Sequence, residues 1–128
     1  MTFSAADHAS DPHAVLDAGA LARLSELDPT GNGTLVQRVL KTYAASLERT
    51  RQEVTLARSP LQPEALRHLA HTLKSSSASV GALALSALCA QVERHVREAQ
   101  PGDIGALLDA MLAEMQRVAG AVQAMLRA

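Results

Sequence analysis

The chain has almost no aromatic side chains: no tryptophan, one phenylalanine (Phe3) and one tyrosine (Tyr43) among 128 residues. Strands are enriched in aromatic and β-branched residues, so an interior that must be built from Leu, Val, Ala and Met favours helices over sheets. An excess of charge of one sign is missing too. With 12 basic and 13 acidic residues, a formal charge of −1 and no long run of either kind, the chain lacks the basic face of a nucleic-acid binder. A single cysteine, Cys89, excludes an internal disulfide and fits a reducing compartment, where its plainest role is that of a small core residue. No stretch approaches the roughly 18–20 apolar residues that a membrane-spanning helix needs. Met1 to Ala14 has neither the basic start nor the apolar run of a secretory signal. There is no Gly-rich nucleotide loop and no Ser/His/Asp arrangement, which argues against a kinase or hydrolase acting alone. The expectation is a cytoplasmic, monomeric protein without membrane or nucleic-acid partners.

What is present is 48% apolar residues, enough for one core, on a chain too short for two domains. Residues 1–14 mix Ser, Asp, His and Pro12 without periodicity and are expected to form a flexible, loosely attached segment, leaving 15–128 for the folded domain. Asp17 can cap a short helix ending near Leu27, with Leu21, Leu24 and Leu27 as its apolar members. The breaker cluster Asp28-Pro29-Thr30-Gly31-Asn32-Gly33 ends it. A long helix follows from about Thr34 to Ala57, with Leu35, Val36, Val39, Leu40, Tyr43, Leu47 and Val54 on one face.

After the turn Ser59-Pro60-Leu61-Gln62-Pro63, a third helix opens at Pro63, whose missing donor suits a first helical position. It runs to about Val80, closed by a left-handed Gly81. The fourth, near 82–99, groups Leu85, Leu88, Cys89, Val92 and Val96 before Pro101-Gly102. The last opens at Asp103 and repeats Ile104, Leu107, Leu108, Met111, Leu112, Met115, Val118, Val122 and Met125. Four amphipathic helices joined by short turns must run antiparallel to their neighbours and bury their stripes together. The expected fold is all-α: an antiparallel up-and-down four-helix bundle with a short additional N-terminal helix. Its methionine start and full set of helices give the expectation of a free-standing protein.

Only the stretch His71 to Ala82 carries polar residues that packing leaves unexplained. On a helix drawn at about 100° per residue, Leu66, Leu69, Ala70, Leu73, Ser77 and Val80 form the buried stripe, and Ser76 and Ser77 serve close packing. His71 falls roughly 150° away and faces water. Arg67 and Lys74 lie beside it at helical spacing, with His68, Ser75 and Ala78 completing the patch. An exposed imidazole keeps a lone pair on one ring nitrogen and acts as a nucleophile when nothing blocks its approach. The compact charge of Lys74 one turn away would attract an anionic group held there, which suits a phosphoryl group. His8, His13 and His95 read as ordinary solvated histidines. His68 and His71 lie three apart, but no Cys or acidic residue stands at a spacing that would complete a metal site.

This segment resembles the signature of histidine-containing phosphotransfer (HPt) domains, approximately Ala-His-x-Leu-Lys-Gly-Ser-Ser-x-x-x-Gly-Ala, matched here by Ala70, His71, Leu73, Lys74, Ser76, Ser77, Gly81 and Ala82. Cys89, Val92 and Glu93 resemble the Cys-x-x-Leu-Glu stretch on the next helix of many such domains. Ser75 departs from the usual glycine, which bears on the fit of a partner. The resemblance implies that His71, through Nε2, accepts a phosphoryl group from the aspartyl phosphate of one receiver domain and passes it to another. It also implies that Lys74 steadies the group, and that the partners are the receiver domains of a hybrid histidine kinase and a response regulator. Mg²⁺ and the acidic pocket then belong to the receiver, and this chain is a carrier without a cofactor or turnover of its own.

Arg67, His68, Ser75 and Ala78 would form the surface the receiver meets. Glu93 and Arg97 fall roughly 90° to 130° from the buried stripe of the fourth helix. Glu93 is a candidate acceptor for Nδ1 of His71, fixing the tautomer that leaves Nε2 free. Arg97 is a candidate contact for the phosphoryl group or an acidic residue of the partner. Both stand open between those roles and ordinary surface ion pairing. The alternative function is a phosphorylation-independent adaptor that binds a kinase or response regulator, with His71 incidental.

Overall fold

In the computed structural model, which describes residues 15–127, three of the five helices start where a side chain supplies the acceptor that free backbone donors need. The segment 1–14, expected to be loosely attached, lies outside the described residues. Asp17 accepts from the amide of Ala20 at 3.0 Å and opens α1, Ala18–Glu26. In the following turn Asp28 accepts from the hydroxyl and amide of Thr30 and from the amide of Leu35, and these bonds hold its carboxyl down at about 2. Gly33, at a φ of +83°, then leads into α2, Thr34–Ala57. Pro63 heads α3, Pro63–Ser79, and α4 is Leu83–Arg97. Asp103 accepts from the amide of Gly105 at 2.8 Å, where α5, Gly105–Arg127, begins.

These limits lie within two residues of the predicted ones. Leu27 is a correction. The helix stops at Glu26, so the helical period no longer brings Leu27 under the stripe, and it is 72% exposed while Ala20 is the buried member of α1.

The helices of the described residues form an antiparallel up-and-down four-helix bundle with a short leading helix, and no strand is among them. Around the ring α2 packs on α3 and α5, α4 packs on α3 and α5, and α1 lies against α2 and α3. The core is aliphatic and sulfur-rich as composition requires, with Leu40, Leu47, Leu66, Leu85, Val92, Met111 and Met115 sealed inside. Cys89 sits there with Sγ 3.9 Å from Sδ of Met111, and burial pushes its thiol up to about 12, so it stays a neutral packing group. No helix among the described residues is long and apolar enough to cross a membrane.

At the far end of α3, Gly81 has a φ of +85°. Its carbonyl accepts from the amide of Asp17 at 2.8 Å, and a Cβ at this position would stand 2.7 Å from that same nitrogen. Glycine is therefore required twice over, for its conformation and for the close approach of the leading segment.

Candidate functional site

Helix α3 turns Leu66, Ala70, Leu73 and Ser77 into the bundle, so its opposite face is left to water. His71 stands in the middle of that face with its side chain 59% exposed. Its inner ring nitrogen is not free. Nδ1 lies 2.7 Å from Oε2 of Glu93 on α4, and Nζ of Lys74, one turn along α3, donates to Oε1 of the same carboxylate at 2.7 Å. Both oxygens of Glu93 thus bridge two side chains of the neighbouring helix.

Glu93 is only 7% exposed, against the expectation that it lies on the flank of its helix. A carboxylate can occupy this seam because each oxygen finds a donor there. The hydrogen bond from Lys74 is the largest influence on its carboxyl; burial opposes it, the bond with His71 adds to it, and the net effect is to hold Glu93 below the usual carboxylate range. An ionised carboxylate only accepts, so Nδ1 of a neutral His71 must be the ring nitrogen that bears the proton. Nε2 keeps its lone pair and has no hydrogen-bond partner among the described residues.

Ser86 supports the arrangement from α4 and escaped the reading of the sequence. Its hydroxyl donates to the carbonyl of Lys74 at 2.9 Å, tying α4 to the turn of α3 that carries the lysine. The available signal was a small hydroxyl seven residues before Glu93, on the same side of α4. Ser77, expected to serve close packing, also does more. Its hydroxyl shares a 2.8 Å hydrogen bond with Tyr43 on α2, and burial pushes the Tyr43 phenol up to about 12.

The remaining candidates divide. Ser75 and Ala78 are exposed small residues on the His71 face, leaving the ring unobstructed on that side. His68 is exposed and, with Glu53 and Leu56, lines a hollow of about 300 Å³ between α2 and α3. Arg67 is drawn to Glu64, with Nε 3.1 Å from Oε2. Arg97 turns to Glu98 at 3.6 Å, so neither guanidinium is committed to the ring. Beyond Ser76 and Ser79 a larger hollow of about 480 Å³ opens between α3 and α2, walled by Leu35, Val39 and Val80 with Arg38 at its side. No group of three or more His, Cys, Asp or Glu among the described residues is arranged to hold a metal ion.

The arrangement presents one nucleophilic nitrogen to solvent on a rigid wall, oriented from behind by a carboxylate and accompanied by an ammonium. Comparison with known proteins places it in context. The family model described as Hpt domain matches residues 34–121, which include His71, Lys74, Ser86 and Glu93. Among solved structures, the crystal structure of histidine-containing phosphotransfer protein B from Pseudomonas aeruginosa PAO1 is similar, with a TM-score of 0.78 and 26% identity over 88% of this chain and 95% of that one. The comparison with curated proteins finds no match.

Proposed function

The chain belongs to the Hpt domain family, and from that premise we propose that His71 is the residue through which it carries out histidine phosphotransfer in a phosphorelay. The carrying observation is the half-open ring, with Nδ1 engaged by Glu93 at 2.7 Å and Nε2 left with its lone pair. Nε2 attacks the phosphorus of an aspartyl phosphate on the receiver domain of a hybrid histidine kinase, and a response-regulator receiver later takes the group away. Phosphoryl transfer has a loose transition state with charge on the equatorial oxygens, so positioning and charge stabilisation do most of the catalysis. Glu93 fixes the tautomer and the ring plane. Lys74, already held beside the ring, brings the positive charge those oxygens need.

The reading assigns Mg²⁺ to the receiver and no cofactor to this chain. Arg67, His68, Ser75 and Ala78 form the rim that the receiver covers, and Arg97 faces its acidic surroundings. The protein acts as a monomeric cytoplasmic carrier without turnover of its own. Incubation with a phosphorylated receiver should leave an acid-labile, base-stable phosphate on the wild type and none on His71→Gln. Label retained by that variant would overturn the assignment, and receiver binding without any label would favour the adaptor reading.

A further inference from the structure

Away from His71, at the end of the bundle where the described chain begins, a buried carboxylate is one donor short. Val15, Leu16 and Asp17 lead into α1 along a hollow of about 310 Å³, whose other walls are Gly81, Leu83 and Ala84 around the start of α4 and Glu114 and Arg117 on α5. The Glu114 side chain is only 9% exposed. Its Oε1 accepts from Nη1 of Arg117 at 2.7 Å, and its Oε2 has no hydrogen-bond partner among the described residues. A carboxylate buried to this degree normally engages both oxygens. Val15 and Leu16 are already sunk into the core here, whereas Leu83 beside them is 52% exposed. The stretch Asp11-Pro12-His13-Ala14 joins the fold at this point. We propose that this leading stretch straps the hollow, with the ring of His13 as the second donor to the Glu114 carboxylate.

Reach and chemistry select the ring. His13 precedes Val15 by two residues, at most about 7 Å of chain, so it stays close to the hollow that Val15 lines. From Asp11 to Ala14 it is the one side chain with a donor. Asp11 brings a negative charge to match Arg117, whose side chain is 44% exposed beside Glu114. An acid and a base thus meet a wall that carries a base and an acid. Pro12 fixes its own φ and lowers the entropy cost of ordering the stretch, and covering Leu83 adds apolar burial. The charged groups that face the ring are few. On α5 they are Glu114 and Arg117, and on α1 Asp17, with Arg23 reaching back to Gly19 where Asp17 also lies. Gly81, Leu83 and Ala84 bring none. Arg117 is held by Glu114, so the balance at the ring is negative and favours its protonated form. The strap's contribution to stability is therefore whole below about pH 6.5 and fades as pH rises through the raised titration of the folded-state ring.

The decisive measurement is ¹H–¹³C NMR of the histidine rings in the full chain between about pH 5 and about pH 8.5, with His8 as the internal reference. The His13 ring should show NOEs to the Leu83 methyl groups. It should also hold its proton to higher pH than His8, with roughly tenfold greater proton affinity. In E114Q, which keeps the length of the side chain without its charge, the His13 titration should fall back onto that of His8. His13→Ala removes nothing from the core and serves as the second variant. It should lower the urea midpoint at about pH 5.5 and leave it at the wild-type value at about pH 8.5. Joint titration of His13 and His8 in the wild type, or the same His13 curve in wild type and E114Q, would overturn the proposal. So would NOEs to Leu83 that grow in only as protein concentration rises, since the donor would then belong to a second copy.

Discussion

Helix α3 is held on its two sides by different chemistry. Toward α2 the polar link is the neutral Tyr43–Ser77 pair, closed inside the bundle. Toward α4 it is a carboxylate with two donors, and the seam runs out to the surface, where Lys74 is 35% and His71 59% exposed. Burial of charge is costly unless partners and some water remain, so the ionic link sits where one edge stays wet and the neutral link where none does. The open seam is also the one a visiting phosphoryl group can reach.

The two seams have opposite weaknesses toward pH. Tyr43 binds its proton more tightly folded than unfolded, its phenol rising from 10.0 to about 12. Its contribution is whole below pH 10 and fades as pH climbs through that window. Glu93 is held below its ordinary 4.5, so its contribution is whole above that value and fades as pH falls beneath it.

Leu73 stands behind both seams at 2% exposure, and cutting it to alanine should have the largest effect on stability, a loss of about 2–5 kcal/mol in denaturant unfolding. A loss under 1 kcal/mol would mean that the wall they share is looser than its burial indicates. Tyr43→Phe attacks the neutral seam alone. It should cost about 1–3 kcal/mol and reduce the alkaline loss of stability to the part that the buried Cys89 thiol contributes, while phosphoryl uptake proceeds at the parental rate. A fall in that rate would show that the two sides of α3 are coupled. Lys74→Ala takes one of the two donors from the buried Glu93 carboxylate and should cost about 1–3 kcal/mol, with water entering the open seam holding it to the low end, and slow transfer with helical content unchanged. Transfer at the parental rate would remove the electrostatic role given to the lysine.

Periodicity made the helices and their inner faces legible, because the apolar spacing of Leu66, Ala70 and Leu73 is a property of one helix by itself. The outward aim of His71 followed from the same arithmetic and is observed. Glu93 shows where this stops. Its angle on α4 suggested a flank, and its burial depends on donors supplied by a different helix, which no single-helix wheel contains. Ser86 and the Tyr43–Ser77 bond were missed for the same reason. Arg67 and Arg97 were legible as neighbours of the site, but their ends turn to Glu64 and Glu98, choices made by long rotatable side chains after the fold is set. Leu27 failed because a stripe rule was carried past the last turn of its helix.

The clasp between Asp17 and Gly81 gives the lead-in helix a molecular address. Any descendant sequence that replaces this glycine with a bulkier residue must also re-route the approach to α1, so drift at position 81 and displacement of the leading helix should be inherited together.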